Sequence, residues 1–435
     1  MGTGSGRARL WSLVTLLVLL MATLLVPPEA SAEDNLRGSF MGSAYSSQVS
    51  ANLLAINAEL GKTVYTPCPC NGTRGRVITN SLASVHAGNI LNLGAARASV
   101  QAYKQPTSAY VSNVAEITGL NLLNGLITAD AIKAVATTRA DTTKVQSFWG
   151  ASRLVNLRVN NRTLLSVQAN TRIDLPGLGY VVLKEVRRSG NDRSYSTVSI
   201  AMIHVYVTTS NSLGLPVGAE IVVGYAKSGF TRREPTVIAG GQAYTALGKA
   251  AAGSTTGRLG KVALVSLGCL SAANKAYTNT TAGASIAGGI LSTGVGTNTA
   301  EITTGTSSTS VTTTSEVADV SLLGGLIRLD GLKAVATASS ANGRLSTSTA
   351  GTRFANLVVA GVPLPVNVAP NTRMELPLVG YVILNEQTRS VTSTGASVSV
   401  NMIHVYVTTR NTLGLPVGTE IIVGHANASI KPFTD

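Results

Sequence analysis

Apolar and polar residues alternate along the segment 198–207, and this period of two predicts an extended strand. One face would carry Val198, Ile200, Met202, His204 and Tyr206, and the other would carry Ala201, Ile203, Val205 and Val207. Because both sets are largely apolar, we expect a central strand covered on two sides, as in a β-sandwich. A β-branched run at 180–183, followed by a polar turn at 189–192, predicts an antiparallel hairpin partner.

The same pattern occurs twice. Residues 202–224 and 402–424 share 19 identities in 23 positions at an offset of 200. A match of that length predicts a tandem duplication of one domain. We expect copy 1 at 33–227, a linker at 228–240 with charged, Gly and Pro residues, and copy 2 at 241–435.

The fold class predicted from these features is all-β, with two tandem, homologous β-sandwich-like domains. Forty-four glycines, with abundant Thr, Ser and Val, are typical of short strands joined by turns. Apolar spacing over 46–60 would fit a helix, but the corresponding segment 245–259 contains three glycines, which favours strand or irregular structure. The segment 303–315 is almost entirely Ser, Thr and Gly, and we expect a flexible loop or an edge strand there.

The first 32 residues are typical of a cleaved export signal, with Arg7 and Arg9 before an apolar run at 10–26 and Ala-Ser-Ala at 30–32. An uncleaved membrane anchor is the alternative. No second apolar span follows, so we expect a secreted or extracellular protein that is either released or held at the cell wall, with no membrane contact after signal cleavage.

The chain is basic. Its net charge is +14, and +13 remains when the two arginines and one glutamate of the signal are removed. A cationic exported protein is attracted to anionic polymers such as those of cell walls. The alternative is that this charge only maintains solubility, because charged residues make up 12% of the chain and no dense basic run exists.

Several repeated segments resemble a known family. These are the Leu-Leu-Gly-Gly-Leu-Ile run at 322–327 with its counterpart at 122–127, the Lys-Ala-Val-Ala-Thr runs at 133–137 and 333–337, and the run at 371–386. Together they resemble the choice-of-anchor P family of exported actinobacterial proteins. The resemblance implies a secreted or surface-displayed protein, and it implies no enzyme activity and no site residues. This chain differs in having no visible C-terminal anchor.

Three cysteines are candidates for a disulfide or for free thiols. Cys70 and Cys269 occupy equivalent positions nine residues after a repeated glycine, and Cys68 is extra. A bridge from Cys68 to Cys70 would close a very small ring, whereas a bridge from Cys70 to Cys269 would join the two copies. A redox role for the Cys68-Pro-Cys70 motif is a further alternative.

Four duplicated polar residues are the other candidates, and their roles are uncertain: His204, His404, Asp130 and Asp330. Each histidine could be a metal ligand or a general base, but no paired-histidine motif accompanies it, and a half-buried structural histidine is favoured. Each aspartate is expected to cap a turn or to pair with Lys133 or Lys333. A calcium site formed by an aspartate with Glu185, Glu220, Glu386 or Glu420 is a further alternative, although no calcium-loop spacing exists.

No nucleophile-elbow, phosphate-loop or dinucleotide-binding motif occurs, so we expect no enzyme activity and no cofactor. Aromatic residues make up only 4% of the chain, which argues against specific nucleic-acid binding. The expected function is structural or adhesive, at the cell envelope or outside the cell. The alternatives are a secreted hydrolase whose site is not visible as a motif, and a binder of anionic wall polymers. Exposed edge strands would also permit self-association.

Overall fold

The computed structural model describes residues 36–50, 61–234, 237–249, 259–268, 271, 273–286 and 289–432. Within these ranges the chain is predominantly β-strand, and the only helix is the short 3-10 turn Leu323–Gly325. The prediction of an all-β fold is therefore confirmed. The predicted signal segment 1–32 and most of the segment 46–60 lie outside the described residues.

The strands of the first copy are β1 (Ser39–Ser50), β2 (Thr66–Pro67), β3 (Ile78–Leu82), β4 (Val85–Ala87), β5 (Leu91–Leu93), β6 (Ala96–Lys104), β7 (Ser108–Leu122), β8 (Ile127–Asp141), β9 (Val145–Phe148), β10 (Arg153–Val155), β11 (Arg158–Val159), β12 (Arg162–Thr163), β13 (Thr171–Leu175), β14 (Gly179–Gly190), β15 (Tyr195–Val207) and β16 (Glu220–Thr231).

The strands of the second copy are β17 (Val237–Lys249), β18 (Leu259–Val262), β19 (Val265–Leu267), β20 (Lys275–Thr281), β21 (Ala284–Ile286), β22 (Leu291–Thr293), β23 (Gly296–Thr304), β24 (Ser308–Leu322), β25 (Ile327–Ala341), β26 (Arg344–Ser348), β27 (Arg353–Ala355), β28 (Val358–Val359), β29 (Val362–Pro363), β30 (Thr372–Leu376), β31 (Gly380–Thr392), β32 (Gly395–Val407) and β33 (Glu420–Pro432).

Each copy contains two antiparallel sheets. Strands from both ends of a copy form one sheet, here called the terminal sheet, and strands from its middle form the middle sheet. In the first copy the terminal sheet has the order β13-β14-β15-β16-β1-β2, and β3 to β12 form the middle sheet. In the second copy the terminal order is β18-β17-β33-β32-β31-β30 with β19 beside β17, and β20 to β29 form the middle sheet.

The two sheets of each copy pack face to face around an aliphatic core, which is the sandwich-like arrangement predicted. The approach is close at Gly224 of β16, where a Cβ atom would lie 2.8 Å from Ile132 Cγ2 of the middle sheet. Gly224 also has φ +69°, a conformation that favours glycine. The glycine therefore allows both the backbone turn and the contact between sheets.

The alternation of side chains between the two faces of the sheet is interrupted in the middle of β15. Met202 and the next residue, Ile203, are both fully buried in the core, so the alternation shifts by one residue at this point. The neighbouring strands carry left-handed residues at the same level, Lys184 with φ 49° and Gly224. The predicted central position of this strand is confirmed, but the predicted assignment of residues to faces was wrong, because the shift turns His204 away from the core.

Two other segments differ from the sequence-based expectations. The segment 303–315 lies largely in β24, which pairs with both β23 and β25 and is not an edge. Its Thr313 and Ser315 are fully buried, and this burial is tolerated because their hydroxyls donate to the backbone carbonyls of Asn427 and Tyr244. Strands also enter the expected linker 228–240 from both ends, since β16 ends at Thr231 and β17 begins at Val237.

The two copies meet at a reciprocal contact, here called the junction. Asn80 of the first copy hydrogen-bonds both backbone polar groups of Lys261 in the second copy. The equivalent Asn279 of the second copy makes the same two bonds to Lys62 of the first. Equivalent residues thus face each other as in a two-fold symmetric dimer, here within one chain.

Candidate functional site

The duplicated histidines lie on the outer face of the terminal sheets, in a hydrogen-bonded network. His204 Nδ1 bonds the carboxylate of Glu185, and its Nε2 lies 3.1 Å from Glu220 Oε2. The hydroxyl of Tyr206 donates to Glu185 at 3.0 Å, and Arg187 donates to the same carboxylate through two nitrogens. Both ring nitrogens of His204 are therefore engaged by carboxylates.

The second copy repeats this network with one change. His404 Nδ1 lies 2.7 Å from Glu386 Oε2, and the hydroxyl of Tyr406 donates to Glu386 at 3.1 Å. The amide of Asn401 donates to Glu386 in place of an arginine, while His404 Nε2 and Glu420 Oε2 are 3.6 Å apart. The common element is a buried histidine held by a glutamate that also accepts from a tyrosine.

The network lowers the pKa of Glu185 and of Glu386. The hydrogen bond from His404 is the main cause that lowers the pKa of Glu386 to about 2, against the opposing effect of burial. Burial alone would raise the pKa of Glu185, but the bonds from Arg187 and His204 lower it. Burial and the bond to Glu185 raise the pKa of Tyr206 to about 12. The network therefore favours the ionised form of Glu185 and Glu386 and the neutral form of Tyr206.

Aromatic rings extend the network along the sheet. Tyr180 and Tyr206 stack at 4.9 Å between ring centroids, and the guanidinium of Arg172 covers Tyr180 at 3.8 Å. Their second-copy counterparts stack at 4.8 Å, with Arg373 at 3.9 Å from the centroid of its ring. Because stacking and cation–π contacts already cover these ring faces, the stacked tyrosines do not offer a free ring face to a sugar or a base.

The duplicated aspartates lie elsewhere, on the middle sheets. Asp130 is exposed and accepts a hydrogen bond of 2.6 Å from Asn156, and Asp330 accepts an equivalent bond from Asn356. Of the two roles expected for Asp130, a turn cap or a pair with Lys133, the structure does not show the pair, because Lys133 pairs with Glu116 on the neighbouring strand. The aspartates also lie on a different sheet from Glu185 and Glu386, so they do not join these glutamates in the calcium site that was predicted as an alternative.

A row of charged side chains crosses the outer face of each middle sheet. In the first copy Arg97, Glu116, Lys133 and Arg153 face one another on four adjacent strands, β6, β7, β8 and β10. We call these four residues the charged row. Lys133 Nζ lies 2.8 Å from Glu116 Oε1 and thereby compensates that carboxylate. Arg97 and Arg153 are exposed and leave the row with an excess of two positive charges.

The second copy has the same row with one substitution. Glu316, Lys333 and Arg353 occupy the equivalent positions, and the ion pair between Lys333 and Glu316 measures 2.7 Å. Thr297 stands in place of the first arginine, so this row has an excess of one positive charge.

A trough runs along each charged row. Two positions away from each member of the row, on the same face, lie the smaller side chains Ala95, Thr118, Ala131 and Val155, of which Ala95 directly precedes β6. The long charged side chains form a bank and the small ones form the floor. The first trough encloses about 910 Å³, and the corresponding trough of the second copy about 380 Å³.

Sequence reasoning missed the charged row. Its members are separated by up to 56 positions along the chain and come together only through the strand register. The one available signal was the repeat itself, since a glutamate at 116 and 316, a lysine at 133 and 333, and an arginine at 153 and 353 recur at an offset of 200.

The cysteines have separate roles. Cys68 is a free, buried thiol, and burial raises its pKa to about 12, which makes it unreactive. Cys70 is disulfide-bonded, so the pair Cys68–Cys70 does not form. Cys269 lies outside the described residues.

In the described part of the chain, no three His, Cys, Asp or Glu side chains are placed to share a metal ion. Nor is there, among those same residues, a helix with the length and apolar character needed to cross a membrane. No protein-family model and no curated protein matches this chain. The resemblance to the choice-of-anchor P family therefore stays a prediction.

Proposed function

We propose that the protein is an exported, non-catalytic structural or adhesive protein that binds anionic polymers of the cell envelope. The observation that carries this proposal is the charged row, which recurs at equivalent positions on the outer face of both middle sheets. A duplicated row with an excess of positive charge beside a trough is suited to an extended anionic chain, because such a chain can contact the cations of a row together.

The state of the histidine network also supports a non-catalytic role. His204 is nearly buried, and its two ring nitrogens face Glu185 and Glu220. A general base must reach a proton of the substrate, and a histidine enclosed in this way first has to leave its partners.

Fractionation of producing cells into medium, salt-washed wall and membrane tests the proposal. Recovery in the wall fraction, with release by salt, is the expected result. Recovery in the medium alone, together with no binding of added protein to isolated walls, would contradict it.

A secreted hydrolase is the second candidate, because each copy holds one His-Glu-Tyr network; this network would have to open before His204 or His404 could act as a general base. Here a variant with both His204→Ala and His404→Ala is compared with His86→Ala, which alters an exposed histidine outside the network. Hydrolysis of glycan, ester or peptide substrates by the protein without residues 1–32, lost only in the double variant, would establish the hydrolase and contradict the non-catalytic proposal.

A further inference from the structure

The trough of the first copy has a contribution from the second copy. Ser285 and Ile286 of β21 line it together with Arg97, Lys133 and Arg153. The described residues that line the second trough all belong to the second copy. The two troughs are therefore unequal: the first has more cations, the larger volume and lining residues from both copies.

We propose that this composite trough is a binding site for an extended acidic polysaccharide that carries carboxylate groups, and that both copies are needed to form it. The inference rests on the proposed function and names its ligand class and its site.

Charge and shape both favour this ligand. Adjacent strands are separated by about 4.8 Å, so the row from Arg97 to Arg153 extends for about 14 Å across the sheet. That length suits a linear polymer lying across the strands better than a single monosaccharide. The guanidinium groups at its two ends can each bind a planar carboxylate through two parallel hydrogen bonds.

The floor distinguishes a glycan from an anion without carbon rings. Ala131 and Val155 expose methyl groups beside the cations, and Ile286 adds a further apolar side chain at the edge. The apolar C–H face of a sugar ring can cover these groups and remove them from water, which is favourable in proportion to the area covered. An inorganic polyphosphate would contact the cations but would leave the apolar side chains of the floor exposed to water.

The junction holds the two parts of the site together. β3 supplies Asn80 to the junction, and the next two residues, Ser81 and Leu82, line the trough. The position of the second copy's Ser285 beside the row is thus linked to the hydrogen bonds between Asn80 and Lys261.

The test measures binding of a fluorescent oligogalacturonate to the protein without residues 1–32, at fixed ionic strength. Arg97→Thr gives the first row the residue of the second, and Ser285→Glu places a negative charge in the trough from the other copy. Each should weaken binding about tenfold. The controls Arg410→Ser and Ser307→Glu make the same charge changes at exposed positions outside the trough and should leave affinity unchanged.

Three results would overturn the proposal: wild-type affinity in Ser285→Glu, equal affinity for polyphosphate, or full rescue of Arg97→Thr by Thr297→Arg. Wild-type affinity in Ser285→Glu would show that the second copy is not part of the site. Either of the other two results would show that binding depends on charge alone. If isolated walls still bind the protein in a salt-sensitive way while oligogalacturonate does not, this inference fails and the proposed function stands. If neither binds, both fail.

Discussion

The side-chain amide of Asn80 bonds both backbone groups of Lys261, donating to its carbonyl oxygen at 3.1 Å and accepting from its amide nitrogen at 2.8 Å. An asparagine used in this way replaces a neighbouring strand, since it satisfies a donor and an acceptor of one residue. The equivalent bonds from Asn279 to Lys62 measure 3.0 Å and 2.7 Å. The junction is therefore reciprocal, because each copy makes the same pair of hydrogen bonds to the other.

The junction predicts a strict requirement for glycine at position 260. A Cβ atom there would overlap Asn80 Oδ1 and the carbonyl oxygen of Ser81. Gly260→Ala should lower the free energy of unfolding by about 2 kcal/mol, as measured by urea denaturation. In the control Gly240→Ala the new Cβ would meet nothing closer than Ser429 Oγ at 3.5 Å, and no loss is expected. Equal urea midpoints for the two variants would contradict the junction.

The contact between the two sheets of the second copy predicts different effects of alanine at two glycines that have nearly the same φ angle. Gly414 and Gly424 have φ +70° and +69°. A Cβ atom on Gly414 would meet nothing within 4 Å, whereas one on Gly424 would overlap Leu332 of the middle sheet. Gly414→Ala should cost about 1 kcal/mol from backbone strain alone, and Gly424→Ala roughly 2 kcal/mol more.

Thermal and urea unfolding of both variants gives this difference directly. If the two substitutions are equally destabilising, the sheets do not approach each other closely at Gly424.

The network around Glu386 predicts a stability that depends on acid. Its pKa of about 2 in the folded protein lies below the ordinary value of 4.5, so the unfolded chain takes up a proton at a higher pH than the folded protein. The stabilisation is fully present above about pH 4.5 and is lost as the pH falls towards 2. In Glu386→Gln, the loss of unfolding free energy on acidification should be smaller by about 1–2 kcal/mol than in the unaltered protein.

Urea unfolding between pH 7 and pH 2.5 measures the effect. Glu375→Gln is the control, because the Glu375 side chain is 72% exposed, against 22% for Glu386. A variant at 386 whose stability fell with acid as steeply as that of the unaltered protein would show that this carboxylate is not held by His404.

The cysteines predict a bond between the copies. Cys70 is disulfide-bonded, Cys68 is free, and the position of a Cβ on Gly268 would lie 3.6 Å from Cys70 Sγ. We therefore expect Cys70 to be linked to Cys269. Peptide mapping without reduction should recover that pair, and iodoacetamide should label Cys68 only after unfolding. Rapid labelling of Cys68 in the native protein, or a linked Cys68–Cys70 peptide, would contradict this assignment.

The hairpin of β14 and β15 could be predicted from sequence because its alternation and its polar turn are both local. The side on which His204 lies could not, because the strand changes faces beside Lys184, a non-glycine residue with φ 49°. Nothing in the identity of a lysine indicates that conformation. A single local departure of this kind reassigns every later side chain of the strand to the opposite face.

The charged row could not be predicted from the sequence for a related reason. Arg97 and Arg153 belong to one row only because three intervening strand pairings place them there. Strand register over such distances depends on core packing on the opposite face of the sheet, which local sequence patterns do not reveal. The prediction of a loop or an edge strand at 303–315 was wrong for the same reason, because its buried hydroxyls have backbone partners more than 70 residues away along the chain.

The measurement that tests the central claim most directly is binding of the purified protein, without residues 1–32, to isolated cell walls across a salt series. We expect retention that decreases steeply as salt rises, and a shallower dependence when Arg153 and Arg353 are both changed to Gln. The control with Arg344→Gln and Arg410→Ser removes two exposed arginines outside the rows and should behave like the unaltered protein. No retention at low salt, or equal losses in both double variants, would contradict binding through the charged rows.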